Sequence, residues 1–283
     1  MASTDIRVIT EDDYSFFQEL INLVGWGLDR DDFIRMITSS PKGCFIATIG
    51  GEKVGVVVTT SYGKVAWLGN LIVKPDYRGH GVGASLTVHA IDYLNQQGVD
   101  SIRLDGVPKA IPLYNRLGFK DEYWSQRYIG KSTSHKTTLS SPMKEKDLES
   151  IYSLDLRYFK LDRKNLLKRK FEHNSECCFT SKKGNELVGY IMGKFDGDTI
   201  RVGPWICNPS YLYHAEELLL SLMSVYPGKK VWIGCPEGNT PVSDILSKHG
   251  FNSLPSSLRM CKGDCKHRED VMGIFGLGGP DKG

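Results

Sequence analysis

The chain has 283 residues, of which 40% are hydrophobic and 24% are charged, and its formal net charge is +3. This length is sufficient for two domains with buried cores, and the composition is typical of a globular protein rather than a disordered one. The small net charge disfavours a dedicated nucleic-acid-binding protein, which usually carries a clustered excess of basic residues. The longest apolar stretch, residues 218–223, is too short to span a membrane. We therefore expect neither a nucleic acid nor a membrane as partner.

The amino terminus and the cysteines bear on the compartment. Residues 1–13 contain no positively charged region followed by an apolar stretch, so we expect no secretory signal. The chain has 7 cysteines, and an odd number is unusual for a disulfide framework. These features predict a reduced, cytoplasmic location.

Hydrophobic periodicity and turn residues predict alternating helices and strands in the first half of the chain. In chain order, these are a helix at residues 11–24, a short helix at 31–38, strands at 44–49, 53–60 and 66–73, a helix at 82–97, a strand at 101–104 and a helix at 112–117. Gly50 and Gly51 predict a hairpin turn between the first two strands. The order of elements predicts an α/β fold of the α+β kind, with a mixed, mostly antiparallel sheet flanked by helices.

The second half of the chain repeats landmarks of the first. Four pairs of identical residues lie 134 positions apart: Gly55 and Gly189, Gly69 and Gly203, Ile72 and Ile206, and Pro75 and Pro209. The pairs Gly118-Phe119 and Gly250-Phe251 lie 132 positions apart. Residues 130–142 are rich in Ser and Thr, which is typical of a linker. We predict an internal duplication, with domains at 1–130 and 143–283 joined by a linker at 131–142.

The strongest local motif follows the strand predicted at 66–73. A loop that contains Arg78, Gly79, Gly81 and Gly83 leads from this strand into the next helix. Glycines let a ligand approach the backbone closely, and the free amides at a helix N-terminus attract anions. Arg78 adds a charged hydrogen-bond donor. The loop predicts a binding site for a pyrophosphate, and a plain glycine-rich turn is the alternative.

A dinucleotide-binding fingerprint competes with this interpretation. Gly79, Gly81 and Ala84 match Gly-x-Gly-x-x-Ala, and Asp105 follows the next strand. In that fingerprint the strand runs directly into the first glycine, whereas five residues intervene here. The preceding strands are also predicted as antiparallel hairpins. A nicotinamide-dependent oxidoreductase is therefore an alternative function.

Two motifs resemble the GNAT superfamily of N-acyltransferases. Arg78-x-x-Gly81-x-Gly83, after a strand ending in Leu-Ile-Val, is similar to the acetyl-CoA pyrophosphate loop of that superfamily. Residues 113–119, with Tyr114 four positions before a Gly-Phe pair, resemble its late signature. Further stretches resemble a subgroup with two GNAT modules in tandem, namely residues 25–26, 104–108, 154–167, 203–205 and 259–260.

The resemblance implies transfer of an acetyl group from acetyl-CoA to a primary amine. It assigns the pyrophosphate to these residues: Arg78, Gly79, His80, Gly81, Val82, Gly83 and Ala84. The backbone of Leu71, Ile72 and Val73 would pair with the pantetheine arm and donate hydrogen bonds to the developing oxyanion. Tyr114 would protonate the leaving thiolate as the general acid, although an aromatic residue on a helix is often part of the core.

Two further residues are candidates on the acceptor side. Asp105 is the candidate base for the amine, although an Asp at the end of a strand more often caps a turn. Trp26 either lines the acceptor site or anchors the core. We expect the acceptor to be a small molecule or a peptide that carries an amine, and the chain to be a monomer or a homodimer. A non-catalytic acyl-CoA-binding protein is the other alternative.

The second half lacks the motif residues. At an offset of 134, Leu212, Tyr213, Ala215 and Glu217 stand in place of Arg78, Gly79, Gly81 and Gly83. Leu246, four positions before the second Gly-Phe pair, stands in place of Tyr114. We predict that this module is inert and either completes the acceptor cleft or serves packing or dimerisation. Cys261, Cys265 and His267 lack a fourth ligand, so we expect no metal site. The glycine-rich segment 271–283 indicates no function.

Overall fold

The computed structural model describes residues 4–283 and divides the chain into two compact units. Residues 1–3, part of the segment in which we expect no secretory signal, lie outside the described residues. Unit 1 extends to Asp121 and also contains Met260–Cys265 and Pro280–Gly283. Unit 2 consists of Glu122–Arg259 and Lys266–Gly279. Residues from the end of the sequence therefore complete the first unit.

Unit 1 contains a mixed sheet with helices on both faces. Its strands are β1 (Thr4–Val8), β2 (Cys44–Ile49), β3 (Glu52–Tyr62), β4 (Val65–Val73) and β5 (Ser101–Gly106). Its helices are α1 (Tyr14–Val24), α2 (Arg30–Ser39), α3 (Val82–Gln96) and α4 (Ile111–Arg116). The strands lie in the order β1-β2-β3-β4-β5, and neighbours are antiparallel except for the parallel pair β4 and β5.

The two faces of this sheet carry different helices. Phe17 of α1 and Phe33 of α2 pack with Val56 of β3 in one buried cluster, so α1 and α2 cover that face. Burial of each such side chain contributes about 2 kcal/mol. Gly55 points to the opposite face, where a Cβ would lie 3.2 Å from Leu86 of α3. The two helix layers therefore enclose the middle strands.

Unit 2 has the same kind of architecture. Its strands are β6 (Lys120–Lys131), which enters the unit at Glu122, β7 (Ser140–Pro142), β8 (Cys178–Lys183), β9 (Glu186–Phe195), β10 (Thr199–Cys207), β11 (Lys230–Pro236), β12 (Asn252–Gly263), which leaves the unit after Arg259, and β13 (Ile274–Gly276). Its helices are α5 (Leu148–Phe159), α6 (Lys164–Asn174), α7 (Leu212–Met223) and α8 (Thr240–Lys248). The order is β12-β6-β11-β10-β9-β8-β7, with β13 on β10, and β10 and β11 are parallel.

The element positions confirm the internal duplication. Strands β8 and β10 begin 134 residues after β2 and β4, and β12 begins 132 residues after β6. Both sheets are mixed and mostly antiparallel, with helices alongside, which confirms the predicted fold class.

Three segments differ from the sequence-based expectations, and one of them is β6, a strand for which no element was predicted. Strand β1 was not predicted, because its five residues contain only Ile6 and Val8 as apolar residues and lie beside β2 with much of their surface exposed. The Ser/Thr-rich stretch at 131–142 is ordered through its hydroxyls: Ser132 Oγ donates to the Tyr226 carbonyl at 2.5 Å. Its last three residues form β7 and pair with β8. The predicted domain boundaries stay a prediction.

A buried ion pair holds α5 to the segment before α6 in unit 2. The Arg163 guanidinium donates to both oxygens of Asp155, each at 2.8 Å, and both residues are at most 3% exposed. Tyr190 of β9 also donates to this carboxylate. The centroid of the Phe159 ring lies 3.6 Å from the guanidinium carbon of Arg163. Asp155, Phe159 and Arg163 fall in the stretch that resembles the tandem GNAT subgroup, and the structure gives them a role in packing.

We expect Asp155→Ala to destabilise the protein by about 3–5 kcal/mol, because it removes the bidentate partner of a buried guanidinium. Glu149→Ala, at an exposed position of the same helix, should change stability by less than ~0.5 kcal/mol. Urea unfolding followed by circular dichroism measures both changes. Equal stabilities for the two variants would contradict the role of the ion pair.

Candidate active site

The site is built around an opening between β4 and β5. These parallel strands are paired from Val65 with Ser101 to Trp67 with Arg103. Both strands continue, β4 to Val73 and β5 to Gly106, but residues 4–283 contain no further pair between them. The strands separate, and β4 therefore presents backbone N–H and C=O groups to the opening. Such an edge can accept an extended ligand as an additional strand.

A β-bulge lies in β4 at this opening. Val56 of β3 pairs with Ile72, and Val58 pairs with Gly69, so Asn70 and Leu71 together oppose one residue of β3. Asn70 has a φ of +50°, which is uncommon for a residue other than glycine. A β-bulge leaves its extra residue unpaired in the ladder, so β3 does not engage all backbone groups of β4 at this point. The family resemblance assigns Leu71–Val73 to this place, but nothing in the sequence marks Asn70, because a left-handed Asn within a strand leaves no pattern.

The loop before α3 has the geometry of an anion site. Gly79 and Gly81 have φ values of +79° and +85°, and a Cβ at either would meet nothing within 4 Å. Gly81 is the N-cap of α3, a helix of 15 residues whose first amides have no intrahelical partner. Arg78 Nε donates to the Val73 carbonyl at 2.9 Å and ties the loop to the end of β4. The exposed His80 lies between the two glycines.

Three elements meet where this loop enters the helix. A Cβ on Gly83 would lie 3.8 Å from both Val73 of β4 and Leu113 of α4. The next residue of α4, Tyr114, packs against the end of β5, where a Cβ on Gly106 would lie 3.2 Å from the ring. The structure therefore brings the anion loop, the open edge of β4 and Tyr114 to one place.

Tyr114 is held in an apolar environment. It is buried, and its ring makes an edge contact with Phe119 at a centroid distance of 5.8 Å. Burial raises the pKa of the Tyr114 hydroxyl to about 12. The hydroxyl therefore remains protonated at neutral pH and can serve as a proton or hydrogen-bond donor.

Asp105 lies on the other face of the sheet. Because side chains alternate along a strand, Asp105 points away from the face on which Gly106 meets Tyr114. It shares its face with Arg103, whose guanidinium lies 5.7 Å from the Trp67 ring centroid. A candidate acid and a candidate base therefore flank the opening from opposite faces.

Trp26 packs partly buried against the cluster of α1 and α2. It follows Gly25, which ends α1 with a φ of +66°. Trp26 contacts the core and remains partly exposed, so its position fits both a residue that anchors the core and one that lines the acceptor site.

Unit 2 lacks this arrangement, and one predicted correspondence is wrong. Helix α7 begins only 130 residues after α3, whereas β10 begins 134 residues after β4. The four residues equivalent to Arg78–Gly81 are therefore deleted rather than replaced by Leu212, Tyr213, Ala215 and Glu217, all of which lie within α7. The deletion shortens the connection so that β10 leads almost directly into α7.

The other correspondence is confirmed. The amide of Phe119 donates to the Tyr114 carbonyl at 3.0 Å, and the amide of Phe251 donates to the Leu246 carbonyl at the same distance. Leu246 therefore occupies the position of Tyr114.

The opening in unit 2 is also filled. Strand β13 pairs with β10 at Trp205 and Ile206, and the amide of Leu277 donates to the Gly234 carbonyl of β11 at 2.7 Å. An extended segment of the chain itself thus lies between the two parallel strands. This fold accepts an added strand at the opening, and in unit 2 that place is taken.

The remaining features that bear on function are the state of the cysteines and the presence or absence of metal-ligand groups and membrane-spanning helices. Cys261 and Cys265 form a disulfide, so the two thiols of the stretch considered for zinc are joined to each other. Five cysteines are free and buried, namely Cys44, Cys177, Cys178, Cys207 and Cys235. Within residues 4–283, no group of three or more His, Cys, Asp or Glu side chains is placed to hold a metal ion, and no helix has the length and apolarity to cross a membrane.

Comparison with known proteins agrees with this geometry. The model of the acetyltransferase (GNAT) family matches residues 8–119, and that of the acetyltransferase (GNAT) domain matches residues 151–276. The chain is 24% identical over 244 residues to holothin acyltransferase of Pseudoalteromonas sp. (strain SANK 73390), covering 84% of this chain and 81% of the relative. It is 22% identical over 246 residues to the uncharacterized N-acetyltransferase YitH of Bacillus subtilis (strain 168), covering 86% of each.

A solved structure has the same fold over nearly the whole length. The crystal structure of a putative acetyltransferase from Pyrococcus horikoshii superposes with a TM-score of 0.81 at 22% identity, covering 99% of this chain and 96% of that chain. The chain belongs to the GNAT acetyltransferase family and contains two GNAT domains. It is an acyltransferase, and this assignment replaces the dinucleotide-binding alternative.

We expect Gly81→Ala to weaken acetyl-CoA binding about tenfold, which corresponds to ~1.4 kcal/mol, because a Cβ at positive φ distorts the loop that presents its amides. Gly63→Ala is the matched control. Gly63 has a φ of +75°, and its Cβ would also meet nothing within 4 Å, but it lies in the hairpin between β3 and β4. Titration calorimetry with acetyl-CoA, and with NAD for comparison, measures the affinities. Equal weakening by both substitutions, or binding of NAD in preference, would contradict the assignment of the loop.

Proposed function

We propose that unit 1 transfers an acetyl group from acetyl-CoA to a primary amine. The observation that carries this proposal is the convergence of the anion loop, the bulge in β4 and Tyr114 at the opening between β4 and β5. The family uses acetyl-CoA as co-substrate and acts on amine acceptors, which supports both parts of the proposal.

The residues at the opening fit acetyl-CoA. Residues 78–84 would hold the pyrophosphate through the amides at the start of α3, and Arg78 would add charge. The space beside Gly79 and Gly81 is open, so the phosphates can approach the backbone. The backbone of residues 71–73 would pair with the amides of the pantetheine arm, as β13 pairs with β10 in unit 2.

The bulge supplies the electrostatic part of the chemistry. When an amine attacks a thioester carbonyl, negative charge develops on the carbonyl oxygen. Backbone amides that the bulge at Asn70 and Leu71 leaves unpaired would be held by the strand, so they would stabilise this charge without reorganisation. The C–N bond then forms and the C–S bond breaks.

Two side chains would act as proton donor and proton acceptor in the proposed reaction. Tyr114 would donate to the sulfur as it leaves. Since its pKa of about 12 lies above that of a thiol, near 8.5, it acts mainly by hydrogen bonding to the developing thiolate. Asp105 would receive the proton of the amine on the opposite face, directly or through water. Trp26 would line the acceptor side.

The remaining predictions of partners and location are part of the proposal. The acceptor is an amine on a small molecule or a peptide, and the protein acts as a monomer or a homodimer without nucleic acid or membrane. Unit 2 does not catalyse, because it lacks the loop and the tyrosine and because β13 fills its opening. We propose a cytoplasmic location because five of the seven cysteines are free and buried, although Cys261 and Cys265 form a disulfide.

A screen of primary amines, with release of the CoA thiol as the signal, tests the proposed function and provides a substrate for the variants. With that amine, we expect Tyr114→Phe to lower kcat about 100-fold, because the leaving sulfur loses its donor, while the KM for acetyl-CoA changes little. Tyr93→Phe is the control, since Tyr93 contacts Phe45 from α3 at 5.5 Å. Unchanged turnover by Tyr114→Phe would remove Tyr114 from the chemistry.

The pH profile provides a second test. The amine must be neutral to attack, so kcat/KM should rise with pH up to the pKa of the acceptor amine. Tyr114, with a pKa of about 12, stays protonated below that value, so activity should not fall between about pH 8 and about pH 10.5. Steady-state rates at saturating acetyl-CoA give the profile. An alkaline fall in that window that disappears in Tyr114→Phe would contradict the raised pKa.

A further inference from the structure

The segment Pro280–Gly283 (the tail) returns to unit 1 and packs against the candidate active site. Pro280–Gly283 belongs to unit 1, although the preceding residues belong to unit 2. A Cβ on Gly69 would lie 2.6 Å from the Cα of Asp281, so the tail lies directly on β4 beside the bulge. Only glycine leaves room for the tail at this position.

The tail lies on the face of the sheet that carries α1 and α2. Gly69 pairs with Val58, which belongs to the cluster under α1 and α2, so both residues share that face. The α3 layer, with the anion loop at its N-terminus, covers the opposite face. An amine that attacks at the bulge while acetyl-CoA lies on the anion loop would approach across the face that the tail now covers.

Specific side chains hold the tail. Arg35 of α2, itself 7% exposed, donates to the Asp281 carboxylate at 3.4 Å, and Lys282 Nζ lies 2.6 Å from the same carboxylate. Tyr62 of β3 donates its hydroxyl to the Lys282 carbonyl at 2.9 Å. Burial would raise the pKa of Asp281, but the charges of Lys282 and Arg35 outweigh this effect and lower the pKa. The carboxylate is therefore ionised when it is bound.

Holding this segment in place has an entropic cost. Ordering each residue costs about 1–2 kcal/mol of conformational entropy. Unit 1 therefore offers a surface that recognises an extended backbone and a carboxylate well enough to offset this cost. In unit 2 the equivalent glycine, Gly203, is covered by Leu277 next to the paired strand β13. In unit 1, by contrast, the side chains of Arg35 and Tyr62 hold the tail over Gly69. A peptide that offers a carboxylate and a carbonyl can form the same contacts in competition with the tail.

We propose that Arg35, Tyr62 and Gly69 form an acceptor subsite for a short extended peptide that carries a carboxylate, and that the C-terminal tail occupies this subsite in cis. The inference that the peptide is an acceptor rests on the proposed function, whereas binding of the peptide can be measured without any acetyl transfer. Arg35 would bind the carboxylate, Tyr62 a peptide carbonyl, and the small Gly69 lets the backbone lie close to the bulge.

The test uses a chain that ends at Pro280 and a labelled peptide with the sequence of residues 278–283. We expect the truncated chain to bind this peptide at least about tenfold more tightly than the full chain, because a site filled in cis is accessible only while the tail is away. Fluorescence anisotropy measures the binding, and melting curves confirm that the truncated chain is folded. If truncation prevents folding, Asp281→Ala in the full chain takes its place, with the same expectation.

Two substitutions test the chemistry of recognition. The peptide with Ala in place of Asp281 should bind more weakly to the truncated chain, and Arg35→Gln should abolish the difference between the two peptides. Lys42→Gln, at an exposed cation just beyond α2, should preserve that difference. A folded truncated chain that binds acetyl-CoA but neither peptide would overturn the proposal and make the tail a fixed part of the fold.

Competition separates this proposal from the proposed function. With an active amine, the peptide should compete with the amine and not with acetyl-CoA, and truncation should lower the KM for the amine. Competition with acetyl-CoA instead would overturn the placement of the subsite. If the peptide binds but no amine is acetylated, the proposed function fails while the peptide subsite stands.

Discussion

The separation of β4 from β5 after the pair Trp67–Arg103 is the constraint on which the site depends. Two parallel strands that stay paired would satisfy each other's backbone groups and leave no place for a ligand. Because these strands diverge, one edge of β4 is not paired with β5 there, and the bulge at Asn70 and Leu71 interrupts the pairing with β3 at the same place. The anion loop and Tyr114 lie at this opening because α3 and α4 are attached to the ends of the same two strands.

Unit 2 shows what happens to this opening when it is no longer kept for a ligand. A buried strand edge with unsatisfied backbone groups is unfavourable, so the chain fills it with β13. Unit 2 differs from unit 1 in three ways that point in the same direction: it lacks the anion loop, it has Leu246 in place of the tyrosine, and β13 fills its opening. Each difference removes one requirement of acetyl-CoA binding or chemistry. Unit 2 is therefore informative about unit 1, as it demonstrates that an extended chain can pair at this position.

The near-neutral charge of the chain is consistent with an anionic ligand. The loop offers backbone amides at a helix N-terminus and one guanidinium, so the anion is bound by local groups and requires no overall basic excess. On the face that carries α1 and α2, the positive charges of Arg35 and Lys282 likewise compensate the buried carboxylate of Asp281. In both places, short-range geometry decides the electrostatics.

The sequence by itself determined the elements of unit 1 from α1 to α4, the duplication and the family, because helix periodicity, strand runs and the spacing of Arg78, Gly81, Gly83 and Tyr114 are local properties. It could not determine the length of the connection before α7, since a constant offset conceals a deletion between two matched landmarks. Nor could it reveal the bulge at Asn70, the filling of unit 2 by β13, or the packing of Asp281 on Gly69. These features join residues that are distant in the chain or depend on a single backbone angle, and only the tertiary structure decides them.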